Sequence, residues 1–180
     1  MPLIASIDVG SNTLRLLIAR VEQDRLIDVF SDRKITRLGN RLDETGRLQD
    51  DNIEASISAL REFSSVISRY GVRRIKAVAT SAVREASNSD TFIRRVLDAT
   101  GIPIEVIPGE KEAELTLKGI LAAFPAFGCR ALPPAMFILD IGGGSTEWVL
   151  YRDQSHIDMG SIPVGVIKLT QNFLTTDPIS

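Results

Sequence analysis

Two short segments of this chain repeat each other, with Asp8 and Asp140 standing 132 positions apart, and that repeat constrains the fold. The first segment, IASIDVGSNTLRLLIA, runs from Ile4 to Ala19; the second, FILDIGGGSTEWVLY, runs from Phe137 to Tyr151. Superposed, Asp8 falls on Asp140, Gly10 on Gly142, Thr13 on Ser145, and Leu16 to Ile18 on Trp148 to Leu150. Each copy is an apolar run, an aspartate, a small-residue turn with a hydroxyl, and a second apolar run. The pattern predicts a β-hairpin with a tip stripped of side chains, where backbone N–H groups can reach an anion. The aspartates offer oxygens to a hard cation such as Mg²⁺, which bridges to phosphate. Two such tips predict two lobes gripping one phosphorylated ligand. An isolated Asp-Gly turn is ordinary hairpin chemistry. The run Gly142-Gly143-Gly144 is not, because a simple hairpin needs at most about two residues with positive φ. Three glycines also raise the entropy of the unfolded chain, so close approach of a ligand is the better explanation.

Length and charge narrow the class. A chain of 180 residues, 44% hydrophobic and 24% charged, has the make-up of a soluble globular protein with a real core. A net charge of −2 argues against a protein that coats nucleic acid or an anionic membrane. A local basic run does occur, with Arg73, Arg74, Lys76, Arg84, Arg94 and Arg95 against only Glu85 and Asp90. Most of it reads as a solvated face. The single cysteine, Cys129, excludes an intrachain disulfide and a multi-cysteine metal site, as in a reducing compartment. Asp8 interrupts the first apolar run after a few positions, and no basic stretch precedes that run. No signal peptide or membrane span is expected, and a cytoplasmic enzyme is the default.

Along the chain, Arg25 to Thr36 reads as a third strand, reached through a turn containing Asp24. Arg37 to Leu48 is polar and glycine-punctuated, hence a loop. Asp50 or Asp51 caps a helix with an apolar stripe of Ile53, Ile57, Leu60, Phe63, Val66 and Ile67, stopped by Gly71. Arg74 to Thr80 reads as a strand, then a helix presents Phe92, Ile93, Val96 and Leu97 and stops at Gly101. Ile104 to Ile107 is a strand, and after Pro108-Gly109 a helix carries Leu117, Ile120, Leu121 and Phe124. Alternating strands and helices predict a mixed α/β layer with ligands beyond the strand ends. Pro125, Gly128, Pro133 and Pro134 break the pattern. The expected organisation is therefore a first lobe over 1–125, a link at 126–134, and the truncated start of a second lobe over 135–180. That last part holds the GGGS hairpin, a strand near Ile157 to Ile162 and a short helix within Gly165 to Leu174.

Six segments occur in order: IDVGSNTLRLLI, RLGNRLDETGRL, AVATSAVREASN, PGEKEAEL, LDIGGGSTE and SIPVGVIKLT. Together they resemble the exopolyphosphatase / guanosine pentaphosphate phosphohydrolase (Ppx/GppA) family, a branch of the actin, sugar-kinase and heat-shock-chaperone ATPase fold. The resemblance covers the whole chain. It implies Mg²⁺-dependent hydrolysis of a terminal phosphate from inorganic polyphosphate or pppGpp. Members of that family carry a complete second lobe, so this 180-residue chain is not expected to be fully competent alone.

The resemblance also assigns roles. Glu112 matches the base for the attacking water; as a first-turn residue it faces the positive end of the helix dipole, which favours the ionised form. Asp140 and Glu147 match acidic residues that are catalytic and hold metal, with Asp8 as the counterpart of Asp140 in the first copy. Gly142, Gly143, Gly144, Ser145 and Thr146 match one phosphate-cradling turn, and Gly10, Ser11, Asn12 and Thr13 the other. Arg84, just past a strand end, matches an arginine that contacts phosphate, a role suited to its bidentate guanidinium. Two positions depart from the pattern: Asn40 where the family has an acidic residue, and Pro108 where it has serine. His156 belongs to a turn far from the tips and reads as a surface residue, and Trp148 reads as core. Rival readings are an ATP-dependent sugar or acetate kinase, which needs an adenosine pocket, and a non-catalytic polyphosphate or nucleotide sensor. Exposed apolar strand residues in an incomplete second lobe predict a homodimer.

Overall fold

The computed structural model describes residues 2–22, 25–124 and 133–174. The expected Asp24 turn, Cys129 and most of the expected 126–134 link lie outside the described residues. The chain divides into two compact units, Met1–Ile107 and Pro108–Ser180.

The first unit is a five-stranded mixed sheet in the order β3-β2-β1-β4-β5. Strands β1 (Leu3–Val9), β2 (Thr13–Glu22) and β3 (Arg25–Ile35) form an antiparallel meander. Strands β4 (Arg74–Ala79) and β5 (Ile104–Val106) continue parallel to β1. Strict alternation on β1 and β2 sends Ile7, Val9, Leu14, Leu16 and Ile18 to one buried face. Helix α2 (Asp50–Arg69) completes that core with the six apolar residues of its stripe, all buried. Gln49, not an aspartate, is its N-cap; Asp50 and Asp51 lie in the first turn, where the helix dipole favours them. Gly71 and Gly101 follow the ends of α2 and α4 (Ser89–Thr100) with φ of +65° and +70°, as glycine stops should. On α4 only part of the expected stripe is inside: Phe92 and Val96 are buried, whereas Leu97 is exposed. The loop after β3 contains a single helical turn, α1 (Leu42–Thr45), and a short helix α3 (Ser81–Glu85) follows β4.

The second unit is an antiparallel meander of β6 (Ala135–Ile141), β7 (Thr146–Arg152) and β8 (Ser155–Ile162), with helices α5 (Gly109–Ala123) and α6 (Val166–Phe173). Helix α5 packs across all three strands. Its Ala113 and Leu117 join Ile138, Val149 and Tyr151 in a separate core. The compact-unit boundary therefore falls between Ile107 and Pro108 rather than after residue 125. The physical reason is that α5 supplies the apolar layer this small sheet needs. Trp148 is only half-buried, on the sheet face away from α5, resting on Gly160, where any Cβ would come within 2.9 Å of its Nε1. His156 is exposed, as expected. No helix among the described residues is long and apolar enough to cross a membrane.

Candidate active site

The sequence repeat is also a geometric repeat. Val9 pairs with Leu14 and Ile141 with Thr146, so residues 10–13 and 142–145 are four-residue hairpin tips. Each tip is closed by the same hydrogen bond: Gly10 N donates to Thr13 O at 3.2 Å, and Gly142 N to Ser145 O at 2.9 Å. A Cβ on either glycine would come within 3.0 Å of that acceptor oxygen.

Both tips are braced from behind by the segment that follows the third strand of their meander. In the first unit, Thr36 N and Arg37 N donate to Asn12 O, and Gly39 N donates to Ser11 O. In the second, Val166 N donates to Gly142 O and Ile167 N to Gly143 O, both at 2.9 Å. The first N–H groups of α6 thus cap the glycine turn instead of meeting solvent. With these carbonyls tied down, each tip has its remaining N–H groups, on Ser11 and Asn12 or on Gly143 and Gly144, to offer an anion. Gly165 has a role the sequence did not reveal: a Cβ there would overlap the Gly143 carbonyl. The Thr146 hydroxyl donates to Val164 O at 2.5 Å, which ties the end of the turn to the segment after β8.

The first unit holds Asp8, Arg84 and the Gly10–Thr13 tip. Asp8 lies on the open sheet face, opposite Arg15 across the ladder, in a cleft of about 660 Å³ also lined by Ser6, Ser31 and Arg33. Arg84 belongs to α3, beyond the end of β4, and its Nη1 donates to Ile107 O at 2.8 Å. That contact anchors the guanidinium beside the end of β5. Close to the tip, Thr36 Oγ1 is buried with no hydrogen-bond partner among the described residues.

The second unit assembles the acidic residues. Asp140 stands directly opposite Glu147, and Glu147 opposite Ser161, so one row crosses β6, β7 and β8. The row lies on the face that α5 covers, with Ile138, Val149 and Tyr151. Asp140 is exposed; Glu147 is only 2% exposed. Each carboxylate accepts one hydroxyl hydrogen bond: Thr116 Oγ1 donates to Asp140 Oδ2 at 2.9 Å, and Ser161 Oγ donates to Glu147 Oε1 at 2.6 Å. Thr116 is one helical turn past Glu112, on the same strip of α5, so the contact that reaches Asp140 also carries Glu112 to this end of the sheet. At the start of the helix, a Cβ on Gly109 would overlap the Ser161 side chain, so only glycine permits this approach of α5 to β8. The sequence reading assigned no role to Thr116, Ser161, Gly109 or Gly165; the last three lie within the segments PGEKEAEL and SIPVGVIKLT, and Thr116 stands four residues past Glu112.

Like charges directly opposite on adjacent strands repel, and a divalent cation relieves that repulsion. Among the described residues, no three metal-ligating side chains are grouped closely enough to hold an ion by themselves. Mg²⁺ characteristically takes one or two carboxylates and completes its shell with substrate phosphate and water. Asp140 and Glu147 fit that donor set. Asp8 belongs to the other compact unit.

The Ppx/GppA phosphatase family model matches residues 17–180. Exopolyphosphatase 2 of Mycobacterium tuberculosis is 34% identical over 184 residues, which is 97% of this chain and 56% of that protein. The bifunctional 3-dehydroquinate synthase/phosphatase of Fusobacterium nucleatum is 34% identical over 97% of this chain and 27% of its own length. Among solved structures, an exopolyphosphatase from Cytophaga hutchinsonii superposes with a TM-score of 0.90 at 29% identity, over 99% of this chain and 55% of that one. The Ppx/GppA family member of Aquifex aeolicus gives 0.80 at 36% identity, over 99% and 56%. The chain spans about half the length of most of these relatives. The α/β fold is that of these solved Ppx/GppA and exopolyphosphatase structures. A family match over nine-tenths of the chain, on a structure that brings the glycine tip, Asp140 and Glu147 into one unit, leaves one conclusion: the chain belongs to the Ppx/GppA phosphatase family.

Proposed function

We propose that this chain is the part of an Mg²⁺-dependent phosphoanhydride hydrolase that removes the terminal phosphate of inorganic polyphosphate or of pppGpp. One observation carries the reading: a single compact unit holds the Gly142–Ser145 tip, the Asp140–Glu147 row and the α5 turn bearing Glu112. The naming of several relatives as exopolyphosphatases supports polyphosphate as substrate.

In this reading Glu112 accepts a proton from water as the water oxygen bonds to the terminal phosphorus. The bond from that phosphorus to its bridging oxygen breaks, giving orthophosphate and a chain one unit shorter. The N–H groups of Gly143 and Gly144 hold the phosphoryl oxygens on which charge accumulates. Arg84, a residue of the first unit, is a separate candidate for phosphate contact. Asp140 and Glu147 are the residues that would hold Mg²⁺, which neutralises phosphate charge when bound. The exposed apolar face of the second sheet supports a homodimeric working form.

The test is phosphate release by the intact protein from polyphosphate, pppGpp and ATP, with Mg²⁺ and with a chelator. The expected result is Mg²⁺-dependent orthophosphate from polyphosphate or pppGpp, carrying one oxygen from ¹⁸O-labelled water. Transfer of phosphate from ATP to acetate or a sugar would make the protein a kinase. Tight polyphosphate binding without release would make it a sensor.

A further inference from the structure

We propose that Thr116 and Ser161 are positioning residues that clamp the two site carboxylates, an inference that rests on the reading of Asp140 and Glu147 as metal-holding groups. The two hydroxyls come from different elements, α5 and β8, and reach the row from its two ends. Thr116 Oγ1 donates to Oδ2 of the exposed Asp140, and Ser161 Oγ donates to Oε1 of the buried Glu147. Each hydroxyl engages one oxygen of its carboxylate, so in this reading the other, Asp140 Oδ1 or Glu147 Oε2, is the one that would meet a cation.

The arrangement closes a ring through the second unit. Gly109 at the start of α5 abuts Ser161, Ser161 holds Glu147, and Glu147 stands opposite Asp140. Thr116, two helical turns along α5 from Gly109, then holds Asp140. A glutamate has three side-chain torsions and an aspartate two; burial limits those of Glu147, whereas the exposed Asp140 has no such restraint. Two directed hydrogen bonds fix their orientation, as outer partners of metal-binding groups do. The ring also couples the carboxylates to α5, so that displacement of the helix carrying Glu112 would move the row.

The experiment uses Thr116→Val, Thr116→Ser and Ser161→Ala in the intact protein, each checked by thermal unfolding. Mn²⁺ binding is measured by calorimetry with the metal alone, and polyphosphate hydrolysis at saturating Mg²⁺. Loss of an outer partner weakens metal binding by about tenfold or more. Thr116→Val and Ser161→Ala should each show that loss at nearly unchanged melting temperature. They should also lower kcat while leaving KM for polyphosphate in place. Thr116→Ser, which keeps the hydroxyl, should behave as wild type. The proposal is overturned if Thr116→Val binds Mn²⁺ and turns over like wild type, if Thr116→Ser fails as badly as Thr116→Val, or if the wild-type protein binds no Mn²⁺. A crystal structure of Thr116→Val with Asp140 unmoved would also overturn it. Loss of the hydrolase reading shows separately: wild-type protein would then release no phosphate, while calorimetry still reports on the clamp.

Discussion

At the scale of single residues, glycines do two different jobs here, and only one is visible in the sequence. Gly10 and Gly142 repeat in sequence and in geometry, each meeting the closing carbonyl of its own tip. Gly165 is required by a segment 22 residues earlier in the chain, because its neighbour is the Gly143 backbone. A methyl group there cannot be relieved by a side-chain rotation. Gly165→Ala should therefore destabilise the second unit by about 1–3 kcal/mol, the usual cost of overpacking. Urea unfolding followed by Trp148 fluorescence would show it, and an unchanged midpoint would mean that the α6 start does not brace the turn. Arg84→Ala should raise KM for polyphosphate more than it lowers kcat, since a phosphate contact made before the reaction is ground-state binding. Unchanged KM and kcat would make Arg84 a structural residue, of the kind its bond to Ile107 O shows, and not a phosphate contact. Local pattern made the two hairpin tips legible. The contact of the Thr146 hydroxyl with Val164 was not, because that partner is a long-range neighbour that no local spacing reveals.

At the scale of elements, periodicity located the principal helices and strands but not what they pack against. The apolar residues of α5 announced a helix; they did not announce that its sheet is β6–β8, which follows it in the chain. Helix α3 went unread because five residues are too few to show a period. The solvent side of α5 carries a testable electrostatic device. Glu114 accepts hydrogen bonds from Lys111 and Lys118, and these hold its carboxyl well below the ordinary 4.5, at about 2. A depressed carboxyl contributes stability that is present above its unfolded value and is lost as pH falls through the folded one. For Glu114 the window runs from about 4.5 down to about 2. Glu114 is partly exposed and its two lysine partners are exposed, so salt screens the effect. The acid-induced loss of stability between those limits should be smaller in Glu114→Gln than in wild type, and the difference should shrink at high salt. Identical profiles for the two proteins at low salt would remove the triad from the account.

At the scale of the whole molecule, the second unit presents an apolar face that is exposed among the described residues. Phe137 is 62% exposed and Ile141 61%, with Leu139 exposed beside them and Trp148 half-buried in the same face. A contiguous patch of this kind marks a surface that another surface covers. Trp148 is the only tryptophan, so its emission reports on that face. Raising the concentration of the 180-residue chain should shift Trp148 emission to shorter wavelength as gel filtration moves to larger species. A monomer with unchanged emission at every concentration would show that the face stays open to water. The family and the α/β class were legible in the sequence because six local segments carry them in order. The pairing of Asp140 with Glu147 was legible only as two acidic residues, since strand register decides that they stand opposite each other. The central claim is that this row and Glu112 form a hydrolytic site, and the rate of phosphate release from polyphosphate by Glu112→Gln tests it most directly. The substitution removes a proton acceptor and keeps the shape, so kcat should fall by about 10²-fold or more while polyphosphate binding survives. Turnover close to that of the wild-type protein would contradict the account and reduce Glu112 to a residue of the first helical turn.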